Sequence, residues 1–141
     1  MDPSFSEQQA SNARLRQEML DQRHAAESAQ AASFLRQFVA AAKASGLAPT
    51  ELVVRGYGGK GSAKTPLKGW YLKNDHSLAV DEDGNYYVLI EQLSLKDRIK
   101  GMTPKPKAPP LILGAGGRDG ESIDLTAKLT ELLPSWRHLG E

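Results

Sequence analysis

Between Ala31 and Ala42 the residues Phe34, Leu35, Phe38, Val39 and Ala42 recur at the three-and-four spacing that gathers one apolar stripe along a helix. The stripe predicts a helical segment that docks on a domain. Upstream, from Phe5 to Glu27, only Leu15, Met19 and Leu20 add large apolar side chains, too few to define a stripe or a heptad seam. Residues 4–45 nevertheless contain no Gly or Pro and are rich in Ala, Gln, Glu and Arg, so one long helix, broken at most once, is expected. Asp2 and Pro3, or the capping-box pattern Ser4 to Glu7, would start it. Gly46, Leu47 and Pro49 would stop it. A helix of about 40 residues is about 60 Å long, roughly twice the width of a domain made from the rest of the chain. Its first half, residues 1–27, must therefore protrude, fray, find a partner or stay disordered.

After Pro49 the pattern changes to short β-like runs. Leu52 to Arg55 is a candidate strand, followed by a loop from Gly56 to Pro66. Gly69–Lys73, Ser77–Asp81 and Tyr86–Glu91 then predict an antiparallel meander, turning at Asn74-Asp75-His76 and at Asp83-Gly84. Two hairpin registers fit. A two-residue turn sets Leu78 and Val80 against Leu89 and Tyr87; a three-residue loop with Gly84 in a bulge sets them against Val88 and Tyr86. Trp70 and Leu72 alternate with Tyr71, which places Trp70 in the core. Met102 to Pro110, with four prolines, predicts an extended linker that brings a last strand, Leu111 to Leu113, to the sheet. A C-terminal helix follows, capped by Ser122 or Asp124, lined by Leu125, Leu129, Leu132 and Leu133, and ended by Pro134. The expected fold is α+β: a long N-terminal helix over 1–46, then a compact domain over 47–141 with a small antiparallel sheet of four or five strands and a C-terminal helix packed on it.

Composition narrows the chemistry. The 141 residues suffice for one ordinary core, and the absence of cysteine excludes disulfides, thiolate nucleophiles and cysteine-ligated metals. With neither a basic start and apolar h-region nor a long apolar run, a cytoplasmic protein is expected. The net charge of +1 hides a segregation. Arg55 to Lys73 and Ser94 to Lys107 hold ten basic residues and the single acid Asp97, a net +9, while the remainder is −8. If the two blocks meet in space, Lys60, Lys64, Lys68, Lys96, Arg98 and Lys100 could track phosphates, with Arg55 beside them and Tyr57 available for stacking.

Other motifs are weaker. Gly58 to Thr65 approaches a phosphate-binding loop, but Ala63 replaces the last glycine and Pro66 and Gly69 follow where a helix should run, so a surface loop is the better reading. The glycines from Gly114 to Gly120 are spaced nearly as in a dinucleotide fingerprint, yet only 21 residues follow; they read better as a corner. Arg118 in that corner could attract an anion, the basis for a small enzyme acting on an anionic substrate. Asp81 to Asn85 reads as a hairpin turn rather than a calcium loop, and His24, His76 and His138 lack ligand spacing. No catalytic residue, metal site or cofactor site is assigned. A binding or regulatory module is expected, acting through the N-terminal helix on a protein partner or a second copy, or through the basic blocks on nucleic acid.

Gly69-Trp70-Tyr71-Leu72-Lys73, Ser77-Leu78-Ala79-Val80-Asp81, Asp83 to Leu89 and Gly116 to Leu125 together resemble a group of small uncharacterised actinobacterial proteins over most of residues 51–133. The resemblance implies the same helix-then-sheet layout and brings no activity, cofactor or site residue with it.

Overall fold

The computed structural model describes residues 3–114 and 122–139. The fold is α+β. Helix α1 runs unbroken from Pro3 to Ser45, about 65 Å at the rise of an α-helix. Pro3 opens it, so Ser4 lies inside the helix and not at its cap. Its stop is the expected one: Gly46 takes φ +78°, and the Leu47 amide folds back to donate to the Ala42 carbonyl at 2.9 Å.

Strands β1 (Thr50–Gly56), β2 (Ser62–Tyr71), β3 (Leu78–Asp81), β4 (Tyr86–Val88) and β5 (Ile90–Glu91) form one sheet in the order β4-β3-β2-β1-β5. The sheet is mixed, not purely antiparallel, because β5 pairs parallel to β1, with Arg55 opposite Ile90. The expected strand Tyr86–Glu91 therefore divides at Leu89. Its amide donates to the Ser77 carbonyl at 2.7 Å, and its carbonyl accepts from the Arg55 amide at 2.8 Å. β4 and β5 lie at opposite ends of the strand order with Leu89 alone between them, so the sheet curls until its two edges meet in one run of chain. The pairing covers Arg55 and Gly56 at the end of β1, and an isolated bridge from Tyr86 to Lys107 lies beside β4.

The segment expected to be a loop from Gly56 to Pro66 is another correction. A short 3₁₀ turn at Tyr57–Gly59 leads directly into β2, whose first half pairs Ala63 with Val54 and Lys64 with Val53. Pro66 is tolerated because the register shifts there: Glu51 faces Lys68 while Val53 faces Lys64. Thr65 fills the irregularity, its hydroxyl donating to the Leu52 carbonyl at 2.7 Å and accepting from the Leu67 amide at 3.1 Å. Tyr71 supports the other strand, its hydroxyl accepting from the Val53 amide at 3.0 Å. In the β3–β4 hairpin Leu78 faces Val88 and Val80 faces Tyr86, which selects the three-residue loop with Gly84 at φ +88°.

Alternation along the strands makes two cores. On the outer face Trp70, Leu72, Leu78, Val80 and Tyr86 pack against Ala31, Leu35, Phe38 and Ala42 of α1. On the inner face Leu52, Val54, Ala79, Tyr87 and Leu89 pack together, with Leu67, Leu93 and Met102 beside them. The outer core is completed by α3 (Leu125–Leu132) through Leu125 and Leu129, and by α4 (Trp136–Leu139) through Trp136. Asp124 stands at the N-cap position of α3 without a side-chain cap bond. Trp136 meets Phe34 edge to face at 5.9 Å, and its ring N–H donates to Thr130 at 3.0 Å. The last strand does not join the main sheet: β6 (Ile112–Leu113) pairs with β7 (Ile123–Asp124) as a separate ribbon that feeds Leu113 into the outer core.

The β3–β4 turn depends on Asp81, which is 4% exposed. Its carboxylate accepts from the amides of Asp83 and Asn85, both at 2.9 Å, and from the Tyr87 hydroxyl at 2.8 Å. Burial, reinforced by that carboxylate, pushes the Tyr87 hydroxyl up to about 12. Asp81→Ala should destabilise the protein by about 2–4 kcal/mol in urea unfolding, and Tyr87→Phe by about 1–2 kcal/mol, because charged buried acceptors make the costlier losses.

Candidate functional site

The two basic blocks meet. Helix α2 (Leu95–Lys100) was not assigned from sequence, and it lies against β2. The Ser94 hydroxyl accepts from the Asp97 amide at 3.1 Å, and the Asp97 carboxylate accepts from the Ser94 amide at 3.0 Å. This reciprocal cap makes six residues helical despite their number. Both bonds hold the Asp97 carboxyl below its ordinary value of 3.8.

From α2 the Arg98 guanidinium reaches across to donate to the Lys60 carbonyl at 3.2 Å. It lies so close over Gly61 that a Cβ there would sit 2.6 Å from Arg98 Nε. One turn on, Gly101 (φ +84°) lies against the Lys64 carbonyl, and the Met102 amide donates to that carbonyl at 2.9 Å. Lys64, Thr65, Lys100 and Thr103 line a shallow cleft of about 330 Å³ at this seam. Lys60, Lys64, Arg98 and Lys100 thus share one flank, with Lys96 exposed on the same helix and Tyr57, 59% exposed, in the adjoining turn. Among the described residues none of these cations makes an ion pair.

The other candidates do not join them. Lys68 faces Glu51 across the strands, and its carbonyl accepts from the Glu82 amide, which places it at the β2–β3 side of the sheet and away from α2. Arg55 lies opposite Ile90, one residue from the Gly56–Glu91 pair. Arg118 and most of the Gly114–Gly120 corner lie outside the described residues.

The Gly58–Thr65 segment is not a phosphate loop: no helix follows, and the amides of Gly56, Lys60 and Gly61 are spent on carbonyls within the turn. A cavity of about 410 Å³ is lined by Lys73, Asn74, Ser122 and Lys128 among others. Its cations are already matched, Lys73 to Asp75 at 3.7 Å and Lys128 to Glu131 at 3.6 Å, which weakens its pull on an anion. His24 and His138 are exposed, while His76 (φ +64°) stacks on the Tyr71 ring at 3.9 Å.

The second candidate surface is the free part of α1. Every side chain from Ser4 to Ala26 is exposed, including Phe5 (56%), Leu15 (54%) and Met19 (62%). Contact with the domain begins at Glu27, whose carboxylate accepts from the Leu111 amide at 3.4 Å.

Comparison with known protein families, with curated proteins and with solved structures gives no match. Among the described residues no helix is long and apolar enough to cross a membrane.

The cap of α2 is testable. Because folding lowers the Asp97 pKa, its contribution is present above pH 3.8 and is lost as pH falls through the lowered value. Asp97→Asn should lower the exchange protection of the amides in residues 95–100 at neutral pH while leaving β1–β4 unchanged, and in the unaltered chain the protection of residues 95–100, corrected for the intrinsic pH dependence of exchange, should fall as pH drops through the lowered Asp97 value.

Proposed function

We propose that this chain is a non-catalytic binding module of the cytoplasm whose projecting helix docks a protein. The observation that carries the reading is the continuous helix from Ser4 to Ala26 with every side chain exposed, Phe5, Leu15 and Met19 among them. Most helix stability in proteins comes from packing an apolar face, and large apolar side chains on this arm gain only when covered. Placing a photo-crosslinking residue at Leu15 in the full chain should trap a protein adduct, whereas the same residue at Glu82 on the domain should not. Equal adducts at both positions, or none at Leu15, would contradict the reading.

A second reading has its own support. The juxtaposition of Lys60, Lys64, Arg98 and Lys100, unpaired among the described residues, favours binding of nucleic acid by the flank between β2 and α2. Displaced counterions give such binding a steep salt dependence. The affinity for a single-stranded oligonucleotide should fall on a log–log plot with a slope of about −3, set by some four phosphate contacts. Lys64→Ala with Lys100→Ala should flatten that slope by about 1.4. A salt-independent affinity, or no binding at low salt, removes this reading.

A further inference from the structure

The free helix carries a pattern that its exposure and continuity bring out. Phe5, Asn12, Met19 and Ala26 recur every seven residues, and Leu15 and Ala29 fall between them at the complementary positions, with Gln8 and Gln22 in the same series. In heptad terms these are a and d positions, a sparse seam that the count of large apolar residues did not define and that stands out only once the arm is one unbroken, exposed helix. Three of the four large exposed apolar residues of the arm therefore lie on one stripe; the fourth, Leu20, does not. From the geometry we infer that the arm pairs with the arm of a second copy of this chain, in parallel and in register. This deepens the reading of the helix as a docking element, on which it rests.

Three features point to a second copy in that orientation. Asn12 sits at an a position, where two facing amides can hydrogen-bond each other and fix register in a parallel pair. Glu18 precedes an a position and Arg23 follows a d position, so a parallel pair sets each Glu18 beside the partner's Arg23, twice by symmetry. The antiparallel alignment with the longest overlap instead places Leu15 against the partner's Met19. It sets Glu18 beside the partner's Glu18 and Arg16 beside the partner's Arg16, so like charges disfavour it.

The domain leaves room for the pair. At about 100° per residue the stripe passes through Ala29 and Ser33, on the side of α1 opposite Ala31 and Leu35. Ser33, Gln37 and Ala40 are exposed accordingly. The two domains would sit outside the helix pair and not between its members. The glutamines at two d positions make the seam weak, so association should be concentration-dependent.

The test uses the full chain. Sedimentation over concentrations up to about 100 μM should show a monomer–dimer equilibrium. Glu18→Arg should weaken it on the order of tenfold, and adding Arg23→Glu should restore it, which a merely helical role would not do. Because the chain has no cysteine, Gln22→Cys under mild oxidation should give a disulfide-linked dimer and Asp21→Cys should not. A monomer at every concentration, equal cross-linking at both positions, or failure of the charge reversal to restore pairing each overturns the inference. A monomer whose Leu15 position still traps a different protein would overturn self-association alone and leave the docking reading standing.

Discussion

Phe38 of α1 and Trp70 of β2 meet edge to face at 5.8 Å, in the middle of the surface that joins helix to sheet. Leu35, Leu72, Val80, Leu125 and Leu129 close around them. Both candidate surfaces are carried by the two elements this contact joins, α1 and β2. It holds the second half of α1 fast and thereby aims the first half into solvent. It also covers the outer face of a sheet whose inner face is already filled by Leu52, Val54, Ala79, Tyr87 and Leu89. Helix α2 lies against β2 of the same sheet, and that contact brings the separate cationic blocks together.

The aromatic layer continues beyond this centre. Phe34 and Trp136 stack edge to face, and the Arg137 guanidinium lies 5.4 Å from the Phe34 ring and 4.9 Å from that of Trp136. This ties the end of the chain to α1, close to where the free arm begins. Trp70 holds an unusual position, since its ring N–H is buried with no hydrogen-bond partner among the described residues. Such a group costs free energy, and the packing of its rings against Phe38 must offset it.

Much of this was legible in the order of residues. The Gly46-Leu47-Ala48-Pro49 stop, the stripe from Phe34 to Ala42 and the burial of Trp70 all follow from local rules, and the structure matches them. Of the two hairpin registers that the residues allowed, the backbone of Gly84 selected one. What escaped was of two kinds. Glycine and proline between Gly56 and Pro66 announced a loop, but a strand that absorbs its proline in a register shift carries the same letters. The curling of the sheet through Leu89 joins residues far apart in sequence, and no local pattern encodes it. The helix α2 is a different case, because the spacing of Ser94 and Asp97 is a capping signal that could have been read. The meeting of Arg98 with Lys60 needed both the strand and that helix, so the basic flank became visible only in three dimensions. Lys68, which sequence grouped with it, lies instead opposite Glu51, further along β2.

The docking arm exists only if α1 is a single rod, anchored on the domain at one end and projecting at the other. Spin labels attached through Glu7→Cys and Lys43→Cys, both exposed positions, measure this directly when labelled chain is diluted into unlabelled chain. A continuous helix predicts one narrow distance distribution centred at about 54 Å. A broad distribution, or one centred well below that length, would mean that the helix breaks or folds back, and would contradict the account.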